Sequence, residues 1–230
     1  VQAESQVNSN FLQRLLASWK TSNLPLEKYI NSYSWAKTIN EQERYFQTLS
    51  RRYNYIYDLF LIDTDGNILY SIAKEADLGS NLFNGDYSKT LFAKSVKATI
   101  KTGQINYSGI ERYAPSAKRF SGFISAPLVD DNGSLIGVFS FQIKIDRIFN
   151  YLENQQSNLN LDFLAEKRVK SENGQAKKEF KEKSLTHYLV DKNGLLTTPY
   201  YSNVDDILKR TITTQPILNW QKKLQQNNNN

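Results

Sequence analysis

The side chains best suited to chemistry lie in two short segments of alternating character. In "RFSGFISAPLV" (Arg119 to Val129), Ser121, Phe123 and Ser125 fall on one face of an extended strand and Phe120, Ile124 and Leu128 on the other. In "VFSFQIK" (Val138 to Lys144), Ser140 and Gln142 oppose Phe139, Phe141 and Ile143. Each strand thus has a greasy face and a face of small polar and aromatic groups. Hydroxyls and an amide both donate and accept hydrogen bonds, so the chemistry they offer is recognition of a polar molecule. Tyr113 in "RYAPS", with Tyr87 and Phe92 assigned to a helix upstream, would add aromatic walls with a polar handle. Arg112 and Arg119 are candidates for two-pronged binding of a carboxylate, or plain surface charges. A half-exposed sheet with its polar side in water explains the same pattern without a ligand. Whether that face is covered decides between the two.

Catalytic arrangements are poorly represented. His187 is the only histidine, it begins a predicted strand, and no Gly-x-Ser-x-Gly elbow accompanies it. No phosphate-cradling glycine loop occurs, and the lack of cysteine removes thiolate nucleophiles, disulfides and Cys-based zinc sites. Asp63 and Asp65 before Gly66 do not make a calcium loop, because the glycine falls fourth and the required glutamate is missing. We therefore expect neither metal nor cofactor. The net charge of +6 comes from 29 basic residues interspersed with 23 acidic ones, and the densest run, Ala165 to Lys183, mixes both signs. A solvated surface accounts for it better than a nucleic-acid partner does. The tyrosine-rich "RRYNYIY" reads as the lead-in to a strand rather than a base-stacking platform.

These residues must be positioned by an α+β framework. Apolar residues at helical spacing, Phe11, Leu15 and Trp19, then Leu26, Ile30 and Tyr33 beyond the break at "SNLP", predict a long N-terminal helix and shorter ones through about Arg52. From Tyr53 the sequence writes one hairpin three times: "LFLIDTDGNILYS", "PLVDDNGSLIGVFS" and "HYLVDKNGLLTTPY". Each is an apolar strand, an Asp, a Gly three residues later and a second strand, with Asp/Asn-Gly supplying the positive φ that tight turns require. Between the first two lies the helical "DYSKTLFAKSVKATIKTG", stopped at Gly103. A helix is predicted from Asp146 to about Gln155, and the third hairpin implies a second, smaller sheet. The expected organisation is a helical region at 1–52, a larger PAS-like module at 53–155, a smaller one at 156–220 and a disordered tail at 221–230. No stretch is long and apolar enough to span a membrane. The start at Val1 and the absence of methionine lead us to expect a piece excised from a longer chain.

The segments "FLIDTDGNILYS", "YAPSAKRFSGFISAPLVDDNGSLIGVFSFQIKIDRI" and "THYLVDKNGLLTTP" together resemble the double Cache (PAS-like) sensor domains of bacterial chemoreceptors and histidine kinases. The resemblance implies a membrane-distal module that binds a small ligand on the polar face of its sheet, under a helix and loop. It also implies a membrane-proximal module, flanking transmembrane helices, an extracytoplasmic location and a homodimer in the intact receptor. The amino-acid-binding branch shows an Arg-x-Trp-Tyr-like run in the helix and an acid in the last strand; here "DYSKTLFAKS" and Gln142 stand there, so a free α-amino acid is not the leading ligand.

The resulting expectation is a non-enzymatic sensor for a small polar metabolite, a carboxylate or an amine, with Tyr87, Phe92, Tyr113, Arg119, Ser121, Phe123, Ser125, Ser140 and Gln142 around the ligand. Nucleic acid is not an expected partner, and the isolated piece is expected to be monomeric or weakly dimeric. A secreted hydrolase and a basic structural or nucleic-acid-associated protein are the alternatives.

Overall fold

The computed structural model describes residues 2–151, 188–198 and 204–227. The chain divides into two compact units, Val1–Ile145 and Asp146–Asn230. In the first unit, helices α1 (Gln2–Ser22), α2 (Leu26–Tyr29) and α3 (Tyr33–Arg52) precede strands β1 (Ile56–Asp63) and β2 (Ile68–Ser71). Helix α4 (Leu91–Thr102) and strands β3 (Asn106–Tyr113), β4 (Arg119–Val129) and β5 (Leu135–Lys144) follow. The strands form one antiparallel sheet in the order β2-β1-β5-β4-β3. Its first and last hairpins thus meet at the centre through β1 and β5.

One face of this sheet packs on the N-terminal helices. Phe11, Leu12 and Leu15 of α1 and Trp35, Ile39 and Phe46 of α3 join Leu59, Leu61, Leu69, Leu128 and Phe139 of the strands in a single apolar cluster. Proline at position 25 opens α2 after the break, and Ser32 caps α3 by accepting from the Trp35 amide. Two expectations change here. Helix α3 is as long as α1 in all but one residue, at 20 against 21 residues. Tyr33, placed on the apolar stripe by its spacing, is 82% exposed: α2 ends at Tyr29 and a new helix begins at Tyr33 after the Ser32 cap, so the spacing from Leu26 and Ile30 does not carry over.

The first two hairpins and the third share one turn. In each, the glycine amide donates to the Asp carbonyl (3.2 Å for Gly66, 3.0 Å for Gly133, 2.9 Å for Gly194). The Asp carboxylate accepts from the amides two and four residues on: Asp65 and Asn67 for Asp63, Asn132 and Ser134 for Asp130, Asn193 and Leu195 for Asp191. Only the glycine of each turn has a positive φ, at 88°, 80° and 79°. The residue before it is not among the positive-φ residues, which excludes the doubly left-handed turn implied by Asp/Asn-Gly. The repeated Asp is there because its side chain organises the loop. For Asp63 this employment is the whole role the structure gives it.

In the second unit, the third turn is joined by bridges between Val190 and Leu196 and between Leu195 and Thr211, over buried Leu196, Ile207 and Ile212. The other strands of the expected smaller sheet fall on residues outside those described, as do His187 and the Ala165–Lys183 charge run. Residues 145–151 are helical, and the rest of the helix expected to about Gln155 also lies outside. A C-terminal helix runs Gln215–Asn227, across most of the expected disordered tail. Gln, Lys and Leu are good helix formers, and Gln221 ties the helix to the hairpin through the Lys192 carbonyl at 3.2 Å. Among the described residues, no helix is long and apolar enough to cross a membrane.

Candidate ligand-binding site

The other face of the sheet is covered, and it is the polar one. Asp58, Phe60 and Ile62 of β1, Ser121, Phe123 and Ser125 of β4, Val138, Ser140 and Gln142 of β5 and Tyr113 of β3 are all buried. Antiparallel register brings them together: Gln142 lies between Asp58 and Phe123, and Ser140 between Phe60 and Ser125. Helix α4 roofs them with Phe92, Ser95, Val96 and Thr99. Its start is fixed twice, by Thr90 accepting from the Ala93 amide (3.0 Å) and by Glu111 of β3, whose carboxylate accepts from the Leu91 and Phe92 amides at 2.9 Å each. Gly103, at φ 64°, ends it.

Under the roof the layer has two parts. Beneath α4, the Phe92 and Phe123 rings stack with centroids 4.0 Å apart, Phe60 packs on Phe92 at 5.0 Å, and Tyr113 meets Phe123 edge-on at 4.9 Å. Beside them, Ser95 and Ser125 share a hydrogen bond of 3.0 Å, Ser140 donates to Ser125 at 2.9 Å, and Thr99 donates to the Ser125 carbonyl at 3.2 Å. The hydroxyls of Ser125 and Ser140 are therefore occupied in joining the helix to the sheet.

The second part lies where two loops close over the strands. Gln142 donates to Ser116 at 2.9 Å and to Ser121 at 2.8 Å. Ser116 donates onward to Glu75 at 2.6 Å, and Tyr57 donates to the other oxygen of the same carboxylate at 2.6 Å. That bond is the main reason the Tyr57 phenol is pushed up to about 12. Tyr113 donates to Asp77 at 2.6 Å, and Tyr87 stands beside it with ring centroids 6.1 Å apart. Burial raises the Tyr113 phenol above its ordinary value, and the Asp77 charge adds to this. The Gln142 amide, expected to need a ligand or water, is satisfied by protein hydroxyls.

Asp58 sets the first loop in place. Its carboxylate accepts from the Leu59, Ile72 and Ala73 amides at 2.6, 2.8 and 3.0 Å and from the Ser71 hydroxyl at 2.7 Å. Burial, outweighing these bonds, pushes it up to about 6. The loops are conformationally unusual. Of the five non-glycine residues with positive φ among those described, Lys74 (51°), Ala117 (53°) and Lys118 (58°) flank Glu75 and Ser116.

The expected residues therefore separate. Tyr113, Ser121, Phe123 and Gln142 converge, with Tyr87 at the edge. Tyr87 sits in the turn before α4 rather than in the helix, because the helix begins only after the Thr90 cap. Arg119 is exposed at the rim, its guanidinium 5.4 Å from the Tyr57 ring centroid. Arg112 is exposed on the opposite face over Phe120, at 4.0 Å, since strand alternation turns it away from Glu111 and Tyr113. Sequence reasoning missed Asp58, Glu75, Asp77, Glu111 and Ser116. One signal was available: Asp58 interrupts the apolar run "YIYDLFLID", and an acid there must be buried and bonded.

A five-stranded antiparallel sheet ordered β2-β1-β5-β4-β3, with long helices on one face and a single helix and loops over the other, defines the architecture. This is an α+β, PAS-like fold. No family model matches the chain, and no curated protein matches it. Solved structures of similar fold include the extracellular domain of a histidine kinase (9% identity, TM-score 0.49, covering 81% of this chain and 67% of that one). Another is the ligand-binding domain of the Campylobacter jejuni chemoreceptor Tlp3 in complex with L-valine (16% identity, TM-score 0.45, covering 94% and 71%). A third is an extracellular ligand binding receptor from Desulfohalobium retbaense (16% identity, TM-score 0.38, covering 60% and 24%). The chain spans about a quarter of that receptor and about two thirds of the other two.

Proposed function

We propose that this chain is the extracytoplasmic sensing part of a transmembrane signal-transduction receptor, a histidine kinase or chemoreceptor, and that it binds a small polar metabolite in its first unit. In this reading the first unit is the membrane-distal module, the second the membrane-proximal one, and the intact receptor is a homodimer joined to its membrane helices. The observation that carries it is the covered polar face. A sheet needs only one apolar face to fold, yet here the second face is roofed and buries Asp58, Asp77, Ser116, Ser121 and Gln142. Tyr87, Tyr113, Ser121 and Gln142 form the wall nearest the loops, Phe92 and Phe123 the aromatic floor, Ser125 and Ser140 its base, and Arg119 the rim. The described hydroxyls of Ser116 and Ser121 bond a carboxylate and an amide, a set suited to recognition.

A melting-temperature screen of the purified chain against a metabolite collection tests this, because a ligand that binds only the folded state raises the midpoint in proportion to its affinity. A saturable shift, confirmed by calorimetry and lost when Ser121 is replaced by Trp, is the expected result. A collection that produces no shift, or a ligand indifferent to Ser121→Trp, would overturn it.

A further inference from the structure

Asparagine followed two residues on by serine or threonine, with no proline between, is the acceptor pattern for an N-linked glycan. It occurs twice in this chain, as Asn106-Tyr107-Ser108 and as Asn132-Gly133-Ser134. The structure treats the two in opposite ways. Asn106 opens β3 and is half-buried, and its side-chain amide donates to Thr99, to Thr102 and to the Gln104 carbonyl at 3.2, 3.4 and 2.9 Å. Ser108 donates to the Gly109 carbonyl at 2.7 Å and accepts from the Phe123 amide at 2.9 Å. Both side chains of that triplet are thus occupied in joining α4, β3 and β4. Asn132, Gly133 and Ser134, by contrast, form the tip of the hairpin between β4 and β5, and all three are exposed. Their backbone is held from beneath: the Asp130 carboxylate accepts from the Asn132 and Ser134 amides at 2.9 and 2.8 Å, and the Gly133 amide donates to the Asp130 carbonyl at 3.0 Å. The side chains are left free. Among the described residues neither the Asn132 side-chain amide nor the Ser134 hydroxyl has a hydrogen-bond partner, and a Cβ at Gly133 would meet nothing within 4 Å. The two other turns of the same build lack the pattern, with Leu195 standing two residues after Asn193 and Asp65 in the place of Asn132.

We propose that Asn132 is an acceptor site for N-linked glycosylation, at which an oligosaccharide is transferred from a polyprenyl pyrophosphate carrier. The inference goes beyond ligand sensing and rests on the reading of the chain as extracytoplasmic, the side of the membrane on which such a donor is presented. In the step, Asn132 Nδ2 forms a bond to the anomeric carbon of the first sugar. The bond from that carbon to the pyrophosphate oxygen breaks, the lipid pyrophosphate leaves with the electron pair, and one amide proton passes to a base of the transferase. No oxidant or reductant takes part. A carboxamide nitrogen is a poor nucleophile while its lone pair is shared with the carbonyl, so the amide must turn and be engaged by the transferase. A side chain free in solvent permits this, whereas one tied by hydrogen bonds must first give them up. Ser134 presents the hydroxyl of the pattern on the same exposed tip. A glycan is bulky and hydrophilic and needs a solvated position. The hairpin tip offers one, and Gln142 lies near the far end of the strand that follows it, so the polar face stays clear of the modification.

The test uses the whole chain, exported by a cleavable leader in a bacterial host that carries an oligosaccharyltransferase and its lipid-linked oligosaccharide. Intact mass and peptide mapping are the readouts. One glycan per chain, on Asn132, is expected, with occupancy of Asn106 lower by about tenfold or more because its hydrogen bonds must first be broken. Asn132→Gln and Ser134→Ala should abolish the added mass, Ser134→Thr should keep it, and Asn106→Gln should leave it unchanged. Circular dichroism checks that each variant folds, and the same chain without the leader should carry no glycan. An exported, folded chain that stays unmodified, while an acceptor peptide exported by the same cells is glycosylated, overturns the assignment. Modification of Asn106 as readily as Asn132 overturns it too, because exposure would then not be what selects the site. The metabolite screen, run on the same preparation, separates this inference from the reading of the first unit. A glycan on Asn132 with no ligand found leaves the acceptor site standing and removes the sensing module; a ligand with no glycan does the reverse.

Discussion

The two faces of the central sheet obey different rules. The face toward α1 and α3 is apolar almost throughout: Phe11, Phe46 and Tyr70 form a ring cluster with centroid separations of 5.2–5.5 Å, and the Trp35 indole finds its acceptor in the Leu69 carbonyl. The face toward α4 and the loops is equally buried but carries carboxylates, hydroxyls and an amide, held in a chain of short hydrogen bonds. The first face supplies the burial that drives folding; the second accepts polar groups that contribute little to stability and require a partner for each atom. A fold that confines its stabilising contacts to one side can vary the chemistry of the other.

Substitutions on the helix-side face should therefore give the largest loss of stability and no change in recognition. Phe46 is fully buried against Phe11, Tyr45 and Tyr70. Phe46→Ala is expected to cost about 3–5 kcal/mol in chemical denaturation, the range for emptying an aromatic site. Any ligand bound by the surviving folded protein should keep its affinity. A loss of affinity larger than the loss of folded protein explains would show that the faces are coupled.

On the polar face the next largest effect is expected from pH. The Asp58 carboxyl stands at about 6 in the folded protein against its ordinary 3.8. Because the folded value is the higher one, the folded state holds the proton more tightly between these limits, and stability from this group falls as pH rises from about 4 to about 6. A gap of that size is worth about 3 kcal/mol. Asp58→Asn removes the titration, so the stability difference between variant and wild type should move by about that amount between pH 4 and pH 7, in favour of the wild type on the acid side. Asp63, Asp77 and Glu111 are also raised by burial, with the same sign, but they are common to both proteins and cancel. A difference that does not vary with pH would mean that the bonds from Ile72, Ala73, Leu59 and Ser71 hold Asp58 ionised.

How legible each face was follows from the range of the interactions that build it. The helix-side face could be read because Phe11 and Leu15 repeat at helical spacing and Phe139 and Phe141 at strand spacing, and periodicity is a local property. The same alternation placed Ser121, Phe123, Ser125, Ser140 and Gln142 together on the second face, as found. What it could not reveal were the loop residues. Glu75 and Asp77 in "AKEADLGS" and Ser116 in "YAPSAKR" have no period; Ser116 reaches Gln142, Glu75 reaches Ser116 and Asp77 reaches Tyr113 from loops that carry left-handed residues at Lys74, Ala117 and Lys118. Tyr33 failed for the opposite reason: the spacing of Leu26 and Ile30 was extended past Tyr29, where the short helix ends and another begins after Ser32.

The smallest expected effect is also the sharpest test of the comparison, because it uses two nearby residues of one strand. Gln142 and Phe139 both belong to β5 and are both buried, three positions apart on opposite faces. Phe139→Ala empties a site beside Phe141, at 4.6 Å between centroids, and should cost stability alone. Gln142→Ala removes the donor that ties Ser116 and Ser121 together, and with it the register of the loop that offers Ser116 to Glu75. Leaving those partners short of a bond costs about 1–3 kcal/mol. If the network exists to shape a ligand site, that loss appears in ligand affinity by calorimetry, beyond any change in melting temperature of the unliganded protein. If the network only fills the interior, Gln142→Ala lowers the melting temperature and leaves affinity untouched, as Phe139→Ala should. The two variants then behave alike, and the distinction between a structural and a sensing face is lost.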